Sequence, residues 1–512
     1  MKYHAIVVGG GHNGLTCAAY LGRAGLRVLV LEARDRVGGM TQLASTVGRL
    51  SPVVARELGL RSHGLRLVQP DVRVFAPQPD GRAVTLWGDL PSTVKELADN
   101  PLVGERDAHA YAAADKLVRE VAHSLAPILR RSPADLAAPS LGSSVRSMAG
   151  AARLDPRLLR YMPMAIHDAV DDWFTSDALR AAIAARGMLY TALGPRMPGT
   201  TGVLLTDAAQ SASGIAGHAV FARGGPAAVT EALAAAVKEK GGEIRTAARV
   251  ARVRRHGALA AGVTLESGEE IDAPLVVSGL DPRTTLLDLL EPEVLGPHLS
   301  WRASNIRQDG ATALVEFALR ALPVFPAAYD DGRRMRGRIL IAPSMRYLDL
   351  AMRPARYAET AQEPLLEITV PSLIDPTLAL QKGAKHTMHV VAQAVAANAD
   401  PAHVGEIVTR TIEHYAPGFS DLIAERAVTT PRDIEREYGA RGGHPMHAEI
   451  ALDQWFEWRP LHGFGRYRMP LNGLYLCGSG AHPGGGVTAV PGRLAAQAAL
   501  ADFKRGTLRL SA

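Results

Sequence analysis

Gly9-x-Gly11-x-x-Gly14 falls between a short apolar run, Ala5 to Val8, and an amphipathic stretch, His12 to Arg23. Few folds accept that arrangement. The first glycine permits a tight turn, the second lets the backbone approach a pyrophosphate, and the third allows close packing of helix on strand. The phosphates then meet the helix N-terminus, where unpaired N–H groups and the helix dipole favour an anion. Leu15, Ala18, Ala19 and Leu21 supply the apolar side of the helix, and Gly25 closes it. A second apolar run, Leu26 to Leu31, ends at Glu32, about 20 residues beyond the glycines, where an acid can accept hydrogen bonds from a ribose. Its charge repels a 2′-phosphate. The chain therefore opens on a βαβ unit that binds a dinucleotide.

The 512 residues are too many for one core, so at least two domains are expected. Hydrophobic residues at 47% and charged residues at 21% are ordinary globular usage. The net charge of +6 is spread along the chain without aromatic-interleaved basic blocks, so nucleic-acid binding is not expected. Cys17 and Cys477 form no CxxC pair, which argues against a disulfide framework, a thiol redox centre and a zinc site. No signal-peptide pattern and no membrane-length apolar run is found, and the cytoplasm is the expected compartment, with peripheral membrane contact left open. Residues 105–210 have helical spacing. Strand-like pieces follow at Glu243–Thr246, Arg249–Arg255, Ala261–Glu266 and Ile271–Ser278. Residues 301–438 mix strands and helices. Near the end, Leu474–Cys477 reads as a strand, Gly478–Gly486 as a glycine-rich loop and Thr488–Phe503 as a helix.

The glycine fingerprint alone does not separate FAD from NAD. Glu32 to Gly38-Gly39 resembles the ExxxxxGG extension of FAD enzymes of the glutathione-reductase type. The second glycine loop, with Gly478, Gly480, Gly485, Gly486 and then Val487, would bring another helix N-terminus to the ligand, as a flavin site would use. So many glycines are costly unless a backbone must approach closely.

Four stretches resemble the phytoene desaturase (carotenoid oxidoreductase) superfamily of FAD flavoproteins. They are residues 7–39, 220–233, 442–460 and 474–493, and they are most similar to the subgroup named for pyridine nucleotide-disulfide oxidoreductase domain-containing protein 2. The resemblance implies an α/β fold: a Rossmann-like FAD-binding domain of the glutathione-reductase/amine-oxidase type with a mixed α+β substrate domain. Residues 1–85, 215–300 and 440–512 would form the FAD domain, and 86–214 and 301–439 the substrate domain. Carried over by position, Gly9, Gly11 and Gly14 would face the pyrophosphate and Glu32 the ribose. Val250 would meet the adenine, and Pro483–Thr488 would border the isoalloxazine ring. One departure stands out. The Pro-Gly-aromatic segment with an Asp that follows the GG pair in relatives, and helps line the flavin, is missing after Gly39-Met40-Thr41-Gln42.

His482, beside the flavin loop, is the candidate for handling protons. His447, Trp455, Trp458 and Tyr467 are candidates to line a substrate cavity, with core packing the competing role for the aromatics. No metal-ligand cluster or Ser-His-Asp set is apparent. The expected function is an FAD-dependent dehydrogenase or desaturase that moves a hydride from an organic substrate to flavin N5. Oxygen, a quinone or another acceptor would reoxidise it, since a single dinucleotide fingerprint is present. Two alternatives stand beside it: a carotenoid-type polyene desaturase or isomerase, and a flavin-binding scaffold without turnover.

Overall fold

A computed structural model describes residues 2–133, 155–328, 332–379 and 383–506. The expected βαβ unit is its centre. Strand β1 (Ala5–Val8), helix α1 (His12–Arg23) and strand β2 (Val28–Leu31) follow in that order, and all eight strand residues are buried. Continuous burial is what a parallel strand covered on both faces requires, and it explains the unbroken apolar runs. A five-stranded parallel sheet forms around them. Its spatial order is Leu474–Leu476, Leu275–Ser278, β1, β2, Glu243–Arg245. The N-terminal, middle and C-terminal parts of the sequence thus meet in one sheet. The last helix, Val490–Lys504, lies on α1 at close range, and a Cβ on Gly492 would come within 2.2 Å of the Asn13 carbonyl oxygen.

A three-stranded antiparallel meander, Val250–His256, Leu259–Leu265 and Glu270–Asp272, branches from this unit. The second large element is a seven-stranded mixed sheet. Its order is Ile423–Thr429, Thr312–Leu319, His386–Gln393, Leu366–Thr369, Arg338–Ile341, Val72–Pro77, Ala83–Trp87. Ala313, Val315, Phe317 and Leu319 point to one buried face, the period of two that a half-covered strand shows. Val72–Pro77 corrects one boundary. It falls inside the segment 1–85 expected in the FAD domain, yet it pairs in register with Arg338 and Ile339 of this sheet. The chain crosses between the sheets near residue 70, before the apolar strand rather than after it.

Helices Glu105–Leu129, Arg157–Tyr161, Ile166–Trp173, Asp177–Ala184 and Thr200–Gln210 pack beside the seven-stranded sheet. They belong to the helical block expected over 105–210, of which residues 134–154 lie outside the described residues. No described helix is long and apolar enough to cross a membrane. Cys17 on α1 and Cys477 after the last strand, remote in sequence, are neighbours in the core. The Cys477 thiol and burial hold the Cys17 thiol well above its ordinary pKa.

Candidate functional site

A cavity of about 630 Å³ opens between the parallel sheet and the seven-stranded sheet. Gly9, Gly11 and Gly14 line it at the N-terminus of α1. Each glycine has a distinct reason. Gly9 sits at φ +95°, a conformation that disfavours side chains. A Cβ on Gly14 would lie 2.1 Å from the Gly9 carbonyl oxygen, so the helix could not seat. A Cβ on Gly11 would meet nothing within 4 Å, and it would project into the space a ligand needs.

Glu32 is 7% exposed at the end of β2 and lines the same cavity. Its Oε2 accepts the Gly10 N–H at 2.7 Å and its Oε1 the Arg34 N–H at 2.9 Å. A carboxylate has about four acceptor positions, so these two bonds orient it and leave capacity for ribose hydroxyls. Gly38 and Gly39 brace the loop from behind. The Gly38 N–H donates to the Gly10 carbonyl at 2.9 Å, and a Cβ on Gly39 would lie 3.3 Å from Gly11 Cα. Gly39 lines the cavity, whereas Gly38 does not. Val250, Gly486 and Val487 also line it.

The remaining loop glycines have a different part. A Cβ on Gly478 would come within 2.5 Å of the Leu280 carbonyl oxygen, and one on Gly480 within 2.5 Å of the Pro282 ring. A Cβ on Gly485 would lie 3.1 Å from Arg49 Nη1. Gly478 and Gly480 are therefore packing glycines behind the wall, and neither they nor Gly485 line the cavity. His482 is fully buried and also lies outside the lining. Burial pushes its imidazole down to about 4, against the pull of the Ile128 carbonyl at the end of helix Glu105–Leu129. The candidate for handling protons thus sits behind the lining residues, not among them. The loop is held instead by the Arg459 guanidinium, which donates to the carbonyls of Ser479, Glu449, Gln454, Met446 and Ala448.

Of the other candidates, His447 lines the cavity, Trp455 and Tyr467 are buried in the core, and Trp458 is exposed. His12 also lines the cavity, with Nδ1 bonded to Thr41 Oγ at 2.8 Å. Burial, then the neighbouring His447, push its imidazole down to about 3. After Gly39, residues Met40, Thr41, Leu43, Ala44 and Thr46 to Arg49 line the cavity.

That stretch leads to an ionic ladder absent from the sequence reading. Arg49 Nε donates to Asp207 at 2.6 Å, and Arg186 spans Asp207 and Glu367. Arg338 pairs with Glu367 and donates to the Gly217 carbonyl and Thr46 Oγ. Burial opposes the charge on Asp207, but Arg186 and then Arg49 outweigh it and hold the carboxyl well below its ordinary range. Burial, then Arg186, pushes the Arg338 guanidinium down to about 9. One signal for the ladder was present: Asp207 is the single charge in the helix Thr200–Gln210, which is buried throughout. A buried charge must be paired.

The fold and this cavity define a dinucleotide-binding oxidoreductase. Residues 7–61 match the NAD(P)-binding Rossmann-like domain, and residues 139–349 match the flavin containing amine oxidoreductase family. Pyridine nucleotide-disulfide oxidoreductase domain-containing protein 2 of Mus musculus is 30% identical across 98% of this chain and 94% of its own length. The lycopene-forming phytoene desaturase of a Paracoccus strain is 26% identical, across 98% and 97%. Among solved structures, putrescine oxidase bound to putrescine superposes with a TM-score of 0.61 at 16% identity, covering 99% of both chains. An oxidoreductase from Methanosarcina mazei reaches 0.60 at 16% identity, covering 97% of this chain and 99% of its own. These two share the fold. The chain belongs to the flavin-containing amine oxidoreductase family, alongside pyridine nucleotide-disulfide oxidoreductase domain-containing protein 2 and the phytoene desaturases. It is an FAD-dependent oxidoreductase.

The residues present fit FAD. The Gly11 face is open, Glu32 is oriented with acceptor capacity to spare, and Asn13 Oδ1, buried at the start of α1 in the cavity lining, has no hydrogen-bond partner among the described residues.

Proposed function

We propose that the protein dehydrogenates a small organic molecule at a C–H or C–N bond in the cavity between the two sheets. Bound FAD would supply the two-electron chemistry by accepting a hydride at N5. The chain's part is to bind, orient and exclude water. The N–H groups at the start of α1 would hold the pyrophosphate, Glu32 the ribose, and the Val250 backbone the adenine. Gly486 and Val487 would border the isoalloxazine ring. In this reading the flavin unit is assembled from the N-terminal, middle and C-terminal segments, and the seven-stranded sheet with the helical block forms the substrate wall. Oxygen, a quinone or another acceptor completes the cycle.

The observation that carries this reading is continuity: the fingerprint, Glu32 and the Gly486–Val487 turn all line the cavity that also reaches Arg186, Asp207 and Glu367. That charged end counts against a long polyene, which needs an apolar channel. A non-catalytic scaffold would have no need of a substrate space beside the cofactor. Purified protein supplied with FAD should be yellow with an oxidised-flavin spectrum, and its substrate should bleach that spectrum anaerobically. Protein that remains colourless after incubation with FAD would overturn the proposal.

A further inference from the structure

The ladder holds three guanidinium groups, Arg49, Arg186 and Arg338, against two carboxylates, Asp207 and Glu367. All five side chains are at most 12% exposed, and all five line the cavity. These five groups together therefore carry one net positive charge in a setting where water screens it poorly. Buried charge is normally matched, so an anion is the missing member.

The hydrogen bonds show where it would sit. Arg338 uses all three of its nitrogens, on Gly217, Glu367 and Thr46. Arg186 uses its three on Asp207 and Glu367. Arg49 uses only Nε, on Asp207. Its two terminal nitrogens have no partner among the described residues, and Nη1 lies at the Gly485–Gly486 turn that borders the cavity. Asp207 grips Arg49 through Nε, which fixes the guanidinium in the wall of the cavity that Arg49 lines. A planar fork with two free nitrogens matches a carboxylate in bidentate geometry. Leu189, Ile215, Leu314 and Met446 line the cavity as well and give the rest of the ligand an apolar surface.

We propose that this enzyme's substrate is a carboxylate with an apolar body, and that Arg49 is the residue that docks the carboxylate, with the Asp207–Arg186–Glu367–Arg338 ladder fixing its position. The proposal rests on the flavin reading above and names the substrate class for the same cavity. It also sets this site apart from one built for a cationic amine: a protonated amine would enter a field of three arginines.

The test uses the FAD-loaded protein and reads the perturbation of the flavin absorbance by small probes. Acetate, benzoate and decanoate are titrated against their uncharged amides, with putrescine as a cationic probe. At least one carboxylate should bind ten-fold or more tightly than its amide, and putrescine should produce no change. Arg49→Met should abolish that preference while retaining bound flavin, and Arg49→Lys should retain part of it. If no carboxylate outbinds its amide in the wild type, or if Arg49→Met keeps the preference, the proposal fails although the flavin reading stands. Loss of flavin from both Arg49 variants would also overturn it, since Arg49 would then serve the cofactor. A wild-type protein that takes up no FAD would overturn both readings.

Discussion

At the scale of single residues, Glu32 carries two separable duties. It orders the fingerprint by accepting the Gly10 and Arg34 amides, and it keeps acceptor positions turned to the cavity. Removing a hydrogen bond to a charged group costs about 1.5–3 kcal/mol. Glu32→Ala should therefore weaken FAD binding roughly 10- to 150-fold by that same range. Glu32→Gln, which keeps one acceptor oxygen, should fall between. Equilibrium dialysis or flavin fluorescence quenching measures both, and an unchanged dissociation constant in Glu32→Ala would show that the ribose is held elsewhere. Glu32 was legible because everything that defines it is local: a strand before it, a glycine turn and helix before that. Arg49 was not. Its partner Asp207 lies 158 residues away, and Arg186 and Glu367 are separated by 181. Only the packing of both sheets brings those charges together.

At the scale of elements, the clearest structural device is the pairing of a glycine loop with a buried cation. The turn from Ser479 to Val487 places Ala481 and Val487 in the apolar core. Arg459, fully buried, ties it to the 446–454 stretch through carbonyl oxygens alone, and burial pushes its guanidinium down to about 10. A Cβ on Gly484 would lie 2.4 Å from Arg459 Nε, so the loop must be glycine to sit there. The sequence shows that the loop is glycine-rich, and close approach of a cofactor is one reason for that. Gly478, Gly480 and Gly484 instead make room for Leu280, Pro282 and Arg459. The periodic elements β1, α1 and β2 were readable because their burial is continuous or helical in period. Which loop glycine borders the cavity was not legible, because a packing glycine and a ligand-facing glycine are the same letter. Arg459→Met keeps most of the volume and strands several buried carbonyls, each costing about 1–3 kcal/mol. Unfolding in urea should show a loss of at least about 3 kcal/mol on that basis, with weaker FAD retention. A variant as stable as the wild type would show that the loop holds its shape without the cation.

At the scale of the whole molecule, three histidines held well below their ordinary range make the assembly sensitive to acid. His12 is on α1, His444 precedes the cavity wall, and His482 is in the C-terminal loop. Burial pushes them down to about 3, about 3 and about 4. In the unfolded chain each titrates near the ordinary histidine value of about 6.5. The folded state thus keeps them neutral where the unfolded state takes up protons. Their contribution is complete above about pH 6.5 and is lost as the pH falls toward 4 and then 3. Each costs up to about 1.4 kcal/mol per pH unit in that window, so the three together approach roughly 4 kcal/mol per unit. A typical net stability of about 5–15 kcal/mol would be consumed within a few pH units. Asp207, held low by Arg186 and Arg49, adds to the loss only below its unfolded value of about 4. Urea midpoints measured from pH 7.5 to 5 should therefore fall steeply below 6.5, before any carboxylate protonates. His482→Asn removes one of the titrating sites, and its profile should be shallower by about 1.4 kcal/mol per unit between pH 6 and 5. Parallel profiles for variant and wild type would mean that His482 is protonated as readily in the folded protein as in the unfolded chain, and that its burial contributes nothing to the acid limit.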